Sequence, residues 1–306
     1  ETVVRCFEED QMSASEKTVC IIGEVLVDFV STEAEVPLKD CMTFRRQVGG
    51  SCANVARFLA ALGTKSRFIS AVGKDGLGDF LFEYLEKASV DCTHLKKFDF
   101  SPTSSVVVNK TSATPQYVPY IGAHSCIDDS HIDENALAGV DILHTNGFSL
   151  ACEPMRSTIV SLIKKAHAQG IKISFDPNWR QRLWPDKEAA LQTIQEIASL
   201  STWMKPSQDD AEELFGSSEP QALAQKYREW GAKTVVLTLG AKGSLVVDEK
   251  GATQVNPKGK LKCATGAGDA FWSLFLHNSL LGKEPVAAAE TASSEIVELL
   301  EGQTFS

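Results

Sequence analysis

From residue 141 onward the chain alternates short apolar runs with longer segments of helical spacing, and this alternation constrains the fold more than any other feature. Strand-like runs fall at 141–145, 172–175, 202–205 and 234–239, and helical ones near 153–169, 186–200, 207–215 and 220–230. Strands separated by one helix each cannot close as tight hairpins. They line up in parallel, with helices carried over both faces of the sheet. Upstream, 18–23 is an apolar run ended by Gly23. Residues 51–62 place Val55, Phe58, Leu59 and Leu62 on one helical face, and Gly63 follows as a C-cap would. A strand over 66–72 and a helix to about Ala88 come next. The expected class is α/β with a mostly parallel central sheet. Segment 24–30 reads as a continuation of the first strand, 31–48 as polar and irregular, and 98–120 as short strands at a sheet edge, broken by Pro102, Pro115 and Pro119. Residues 244–255 read as a hairpin with Glu249-Lys250-Gly251 at its tip.

Small residues crowd a turn at Ala264-Thr265-Gly266-Ala267-Gly268-Asp269-Ala270-Phe271, and an apolar run of helical spacing follows it. Such a turn opens a buried helix whose first N–H groups, added to its dipole, attract an anion. Asp269 then sits beside an anion site, which disfavours a carboxylate unless it has chemistry to perform. Taking a proton from a hydroxyl that attacks a phosphoryl group is that chemistry. A plain glycine turn with Asp269 as a cap is the alternative. A second glycine pair, Gly49-Gly50, precedes the helix at 51–62, and Asn54 lies one turn inside it, a poor position for Asn unless its amide is used.

Thr265-Gly266-Ala267-Gly268-Asp269-Ala270-Phe271 resembles the C-terminal signature of the ribokinase-like (PfkB) carbohydrate kinases. Val48-Gly49-Gly50-Ser51-Cys52-Ala53-Asn54-Val55-Ala56 resembles their N-terminal signature. The order and the separation both fit, over about 19–301, and fructokinase-like members are the most similar. The resemblance implies a three-layer α/β/α fold with a small β lid formed by about 31–48 and 98–122, after a loose extension over 1–17. It implies ATP-dependent phosphorylation of a sugar hydroxyl, fructose to fructose 6-phosphate, with Asp269 as general base and Gly266, Ala267 and Gly268 holding the charge. Asp28, Gly49, Gly50, Asn54, Asn178 and Arg180 are then sugar-side residues, Arg180 also reaching the transferred phosphate. Lys205, Thr238, Gly240 and Gly243 fall on the nucleotide side. The family's Asn and Glu that organise Mg²⁺ read Ser207 and Asp210 here, which keeps oxygen donors.

Each of these residues also has a plainer reading. Asp28 suits a strand end facing water, Arg180 a pair with Asp176 or Asp186, Ser207 a helix N-cap, and Thr238-Leu239-Gly240 an ordinary turn with Lys242 in solvent. Tyr117 and Tyr120 either close over a ligand or pack at an edge. Where the family's signature opens with Asp-Thr-Thr, this chain has Cys263-Ala264-Thr265, so monovalent-cation activation is not expected. The acceptor alternatives are 2-keto-3-deoxygluconate, another sugar or a nucleoside. An acidic sugar needs a lid cation, for which Lys110 is the candidate, because Ile121 stands where relatives carry Arg. A catalytically weak, fructokinase-like interaction protein is the alternative of a different class.

A formal net charge of −10 argues against a general nucleic-acid or anionic-membrane surface. No apolar run approaches the roughly 20 residues that cross a bilayer. The eight cysteines are scattered without a C-x-x-C pair, which reads as buried thiols in a reducing compartment. The histidines form no metal-spaced cluster. The expected location is the cytoplasm, or a plastid-type compartment if transit-peptide removal accounts for the absence of an initiator Met. The expected partners are a small-molecule sugar and ATP, with a homodimer through the lid implied by the resemblance alone.

Overall fold

The computed structural model describes residues 16–111, 116–184, 186–259 and 266–302. Among these residues a nine-stranded sheet has the order β13-β12-β11-β10-β9-β8-β1-β4-β5. Its strands are β1 Thr18–Ile22, β4 Lys65–Gly73, β5 Leu95–Phe98, β8 Ile142–Asn146, β9 Lys172–Asp176, β10 Trp203–Met204, β11 Thr234–Thr238, β12 Ser244–Asp248 and β13 Gly251–Val255. All neighbouring pairs from β5 to β11 are parallel. The hairpin β12–β13 closes one edge antiparallel.

Both faces of this sheet are buried, as its continuous apolar strands require. Along β1, Cys20 and Ile22 join one core while Val19 and Ile21 join the other. The first core is covered by α3 Met155–Ala168, α4 Lys187–Leu200, α5 Gln208–Phe215 and α6 Pro220–Glu229. The second is covered by α1 Ser51–Ala61, α2 Gly76–Lys87, α7 Ala267–Leu280 and α8 Pro285–Gly302. The result is the three-layer α/β/α arrangement. No helix among the described residues is long and apolar enough to cross a membrane.

A separate four-stranded sheet has the order β3-β2-β6-β7, from β2 Leu26–Ala34, β3 Phe44–Gly49, β6 Ser105–Lys110 and β7 Tyr117–Tyr120. Two expectations from sequence are corrected here. The segment after Gly23 does not continue β1: it leaves the large sheet, pairs with β3 antiparallel and with β6 in parallel. Nor is 31–48 irregular throughout, since β2 runs to Ala34 and β3 begins at Phe44. Alternation explains the departure. Leu26, Asp28 and Val30 share the cleft face of β2, with Val106 and Val108 beside them on β6. The expected break at Pro115 and the variant residues Cys263-Ala264-Thr265 lie outside the described residues.

Candidate active site

The small sheet and the carboxyl ends of the parallel strands enclose a cleft of about 1360 Å³. Two helix N-termini meet at its floor. The first is α1, whose N-cap Gly50 has φ 98° and lies so close to the backbone just before β2 that a Cβ would approach the Glu24 carbonyl oxygen to 2.7 Å. The second is α7, whose N-cap Gly266 has a left-handed φ of 75°. Neither N-cap is a side-chain cap; in α1 the Cys52 amide is taken by Glu24 Oε1 at 3.3 Å, whereas in α7 no side-chain acceptor among the described residues takes the first amides.

Asp269 stands in the first turn of α7 and is held from α1. Ser51 Oγ donates to Asp269 Oδ1 at 2.7 Å, and Asn54 Nδ2 donates to Asp269 Oδ2 at 2.8 Å. Burial raises its carboxyl to about 6; Lys205, Ser51 and Asn54 restrain that rise, and Asp176 adds to it. Ser51 was not singled out by the sequence, where a Ser at the first helical position reads as an ordinary helix start.

Asp176 and Lys205 occupy the ends of neighbouring strands. The β9–β10 register pairs Met204 with Phe175, so the next residues on each strand meet. Lys205 Nζ lies 2.8 Å from Asp176 Oδ2, with both side chains under a tenth exposed. Burial opposes the ammonium, yet Asp176 beside it, with Asp269 and Asp210, raises Lys205 above its ordinary value. The ammonium also lies against the α7 N-terminus, 3.7 Å from where a Cβ on Gly268 would stand.

Arg180 pairs neither with Asp176 nor with Asp186. Its Nη1 donates to Asp210 Oδ1 at 3.2 Å. Asp210 is raised by burial, against the pull of Arg180. Ser207 is the N-cap of α5, its hydroxyl accepting from the Asp210 amide at 3.0 Å. Asp209, Asp210 and Glu213 all line the cleft. Among the described residues no three acidic, His or Cys side chains converge as a metal cage. Asp210 at the cleft wall offers a carboxylate oxygen, which is compatible with Mg²⁺ because that ion takes few protein ligands and keeps waters and phosphate oxygens. Asn178 also lines the cleft; its φ is 35° and its backbone amide donates to Asp176 Oδ1 at 3.0 Å.

On the small sheet Asp28 faces the cleft, raised to about 6 by burial and then by Glu24. Gly49 lies under it: a Cβ there would come within 2.3 Å of Asp28 Oδ2. Glu24 is buried and satisfied. Asn146 Nδ2 donates to its Oε1 at 2.8 Å, the Cys52 amide donates at 3.3 Å, and Ser149 Oγ donates to Oε2. The remaining expected residues divide. Thr238 lines the cleft, whereas Gly240 and Gly243 shape the turn after β11 and are not part of its wall. Tyr117 lines the cleft, while Tyr120 is 59% exposed and does not. Lys110 does not line it either; the cations at its mouth are Lys39 and Arg182.

The arrangement can accept a proton at Asp269, hold a hydroxyl-rich molecule against Asp28, and bind an anion between Lys205 and the α7 amides. The sequence matches the pfkB family carbohydrate kinase profile over residues 16–296. It is 33% identical over 265 residues to an ATP-dependent 6-phosphofructokinase of Thermoanaerobacterium thermosaccharolyticum, covering 86% of this chain and 82% of that one. The fold is similar to that of Halothermothrix orenii fructokinase, with TM-score 0.80, 32% identity and coverage of 95% and 99% of the two chains. It is also similar to a Pyrococcus horikoshii sugar kinase solved with ATP, with TM-score 0.82, 29% identity and 91% of each chain covered.

Proposed function

Because the chain belongs to the pfkB family of carbohydrate kinases, we propose that it transfers the γ-phosphoryl group of ATP to a ketohexose hydroxyl, converting fructose to fructose 6-phosphate. The observation that carries this reading is the Asp269 carboxylate, held by Ser51 and Asn54 beside the open N-terminus of α7 and the Lys205 ammonium. A carboxyl near 6 is about nine-tenths ionised at pH 7, so it is a competent base at neutral pH.

In this reading the sugar lies between the small sheet, acting as a lid, and the floor at Gly49–Gly50. Asp28 and one remaining Asn54 amide hydrogen contact its hydroxyls. The acceptor hydroxyl gives its proton to Asp269 while its oxygen attacks the γ-phosphorus in line. The amides at Gly266, Ala267 and Gly268 stabilise the charge that develops on the transferred group, together with Lys205 and Arg180. Mg²⁺ at Asp210, with Asp209 and Glu213 nearby, would neutralise phosphate charge when bound. Thr238 borders the nucleotide side. The exposed apolar residues of the small-sheet region, Met42, Phe44, Val118 and Tyr120, suit a homodimer through the lid.

The test is Asp269→Asn assayed for fructose-dependent ADP release. A loss of at least about a hundredfold in kcat supports the base; activity within about tenfold of the parent refutes it. A second reading is favoured by Lys39 and Arg182 at the cleft mouth. In that reading the acceptor already carries an anionic group, as fructose 6-phosphate and 2-keto-3-deoxygluconate do. A kcat/KM panel over fructose, fructose 6-phosphate, 2-keto-3-deoxygluconate, ribose and adenosine separates the readings. Preference for an anionic acceptor that collapses in Lys39→Ala and Arg182→Ala selects the second.

A further inference from the structure

We propose that Arg57 is a positioning residue for phosphotransfer: it fixes the Asn54 amide so that its nitrogen, and not its oxygen, faces the Asp269 carboxylate. Arg57 lies one turn beyond Asn54 on α1 and is 6% exposed. Its Nε donates to Asn54 Oδ1 at 3.1 Å, and its guanidinium lies over the Phe58 ring at 4.0 Å. Beyond the ring, it is drawn toward Tyr84 and Asp269.

A guanidinium has donors and no acceptor, so Asn54 must present its carbonyl oxygen to Arg57. The amide is planar, and its nitrogen therefore points the other way, to Asp269 Oδ2 at 2.8 Å. The two ends of an Asn amide have nearly the same shape. The ionised Asp269 carboxylate also draws the nitrogen, but the protonated acid can donate its O–H to a flipped amide oxygen, and Arg57 opposes that flip in both states. A flipped amide sets an oxygen against the Asp269 carboxylate, which repels the ionised form and welcomes the protonated one. The other groups facing Asp269 among the described residues are Ser51, the Cys52 thiol, Lys205 and Asp176, and none of them is hydrogen-bonded to Asn54 Oδ1, which accepts from Arg57. A long, always-charged side chain is costly to bury for packing alone. Here it sets the polarity of a hydrogen-bond chain that ends on the proposed base.

The proposal rests on Asp269 as the base, and two variants separate the failures. Asp269→Asn tests the base by loss of turnover. Arg57→Met tests the relay with Asp269 intact. We expect Arg57→Met to lose about tenfold in kcat with the sugar KM held within about twofold. The acidic limb of its kcat/KM profile should move up by about one pH unit. In an Asn54→Ala background the same substitution should add no further loss, because the relay is already cut. A folded Arg57→Met protein with an unmoved acidic limb, or losses that multiply in the double variant, overturns the proposal. Should Arg57→Met fail to fold, Arg57→Lys replaces it, keeping the charge but not the Nε donor. It should lose about threefold in kcat in the parent and nothing in the Asn54→Ala background; equal losses in both overturn the relay. If Asp269→Asn retains turnover, the base assignment falls and takes the proposal with it.

Discussion

Replacing Asp269 by Asn should stabilise the protein while abolishing turnover, and the gain should depend on pH. The carboxyl is raised from 3.8 to about 6, mainly by burial. A group whose folded value lies above its unfolded value contributes stability below the unfolded value, here 3.8, and that contribution is lost as pH rises through about 6. At pH 7 the parent therefore carries an ionised carboxylate that the fold disfavours. The full shift corresponds to about 3 kcal/mol at about 1.36 kcal/mol per pH unit. Asp269 retains some solvent exposure at the cleft, which reduces the expected gain to about 1–2 kcal/mol. The substituted amide still accepts one hydrogen bond from Ser51 or Asn54, so little else changes. Urea unfolding at pH 7 and pH 4 measures the difference. The Asp269→Asn protein should be about 1–2 kcal/mol more stable than the parent at pH 7, and about equal to it at pH 4, where the parent is already protonating. A variant no more stable than the parent at pH 7, or one whose advantage is the same at pH 4, would refute the electrostatic account of this site.

The Asp176–Lys205 pair gives the opposite result. Lys205→Met leaves Asp176 buried and unpaired and should cost about 3–5 kcal/mol in urea unfolding, with much of it recovered in the Asp176→Asn/Lys205→Met double variant. A loss under about 1 kcal/mol would show that the pair is hydrated rather than buried. Asp210→Asn should raise the Mg²⁺ concentration for half-maximal activity by at least about tenfold, read from a Mg²⁺ titration at fixed ATP; an unmoved midpoint would place the cation elsewhere. Asp28→Asn should raise the sugar KM, and its stability gain at pH 7 should also fade on acidification, because Asp28 too is raised to about 6 by burial and by Glu24.

What the sequence made legible followed from patterns that are local in the chain. The parallel sheet came from strand–helix alternation, and Asp269 from a glycine turn that opens an apolar helix. Both depend on spacings of a few residues, where backbone geometry acts directly. The assignment of β2 was not legible in this way. Leu26, Asp28 and Val30 alternate as any half-exposed strand does, and alternation says which face is buried without saying which sheet supplies the partner. Asp176 and Lys205 were each visible at a strand end, yet their ion pair required knowing that β9 and β10 are neighbours in the register that sets Met204 against Phe175. Arg180 illustrates the same limit. The nearby sequence offered Asp176 and Asp186 as partners, but Lys205 had already engaged the first and Asp186 is committed to capping α4 through the Glu188 and Ala189 amides. Asp210, brought from α5 across the strand ends, receives it instead. Long-range pairs in such a site depend on which local partners are already spent, and one of those commitments, Asp176 to Lys205, is itself set by the β9–β10 register, so the Arg180–Asp210 pair follows from the sheet order and not from local spacing.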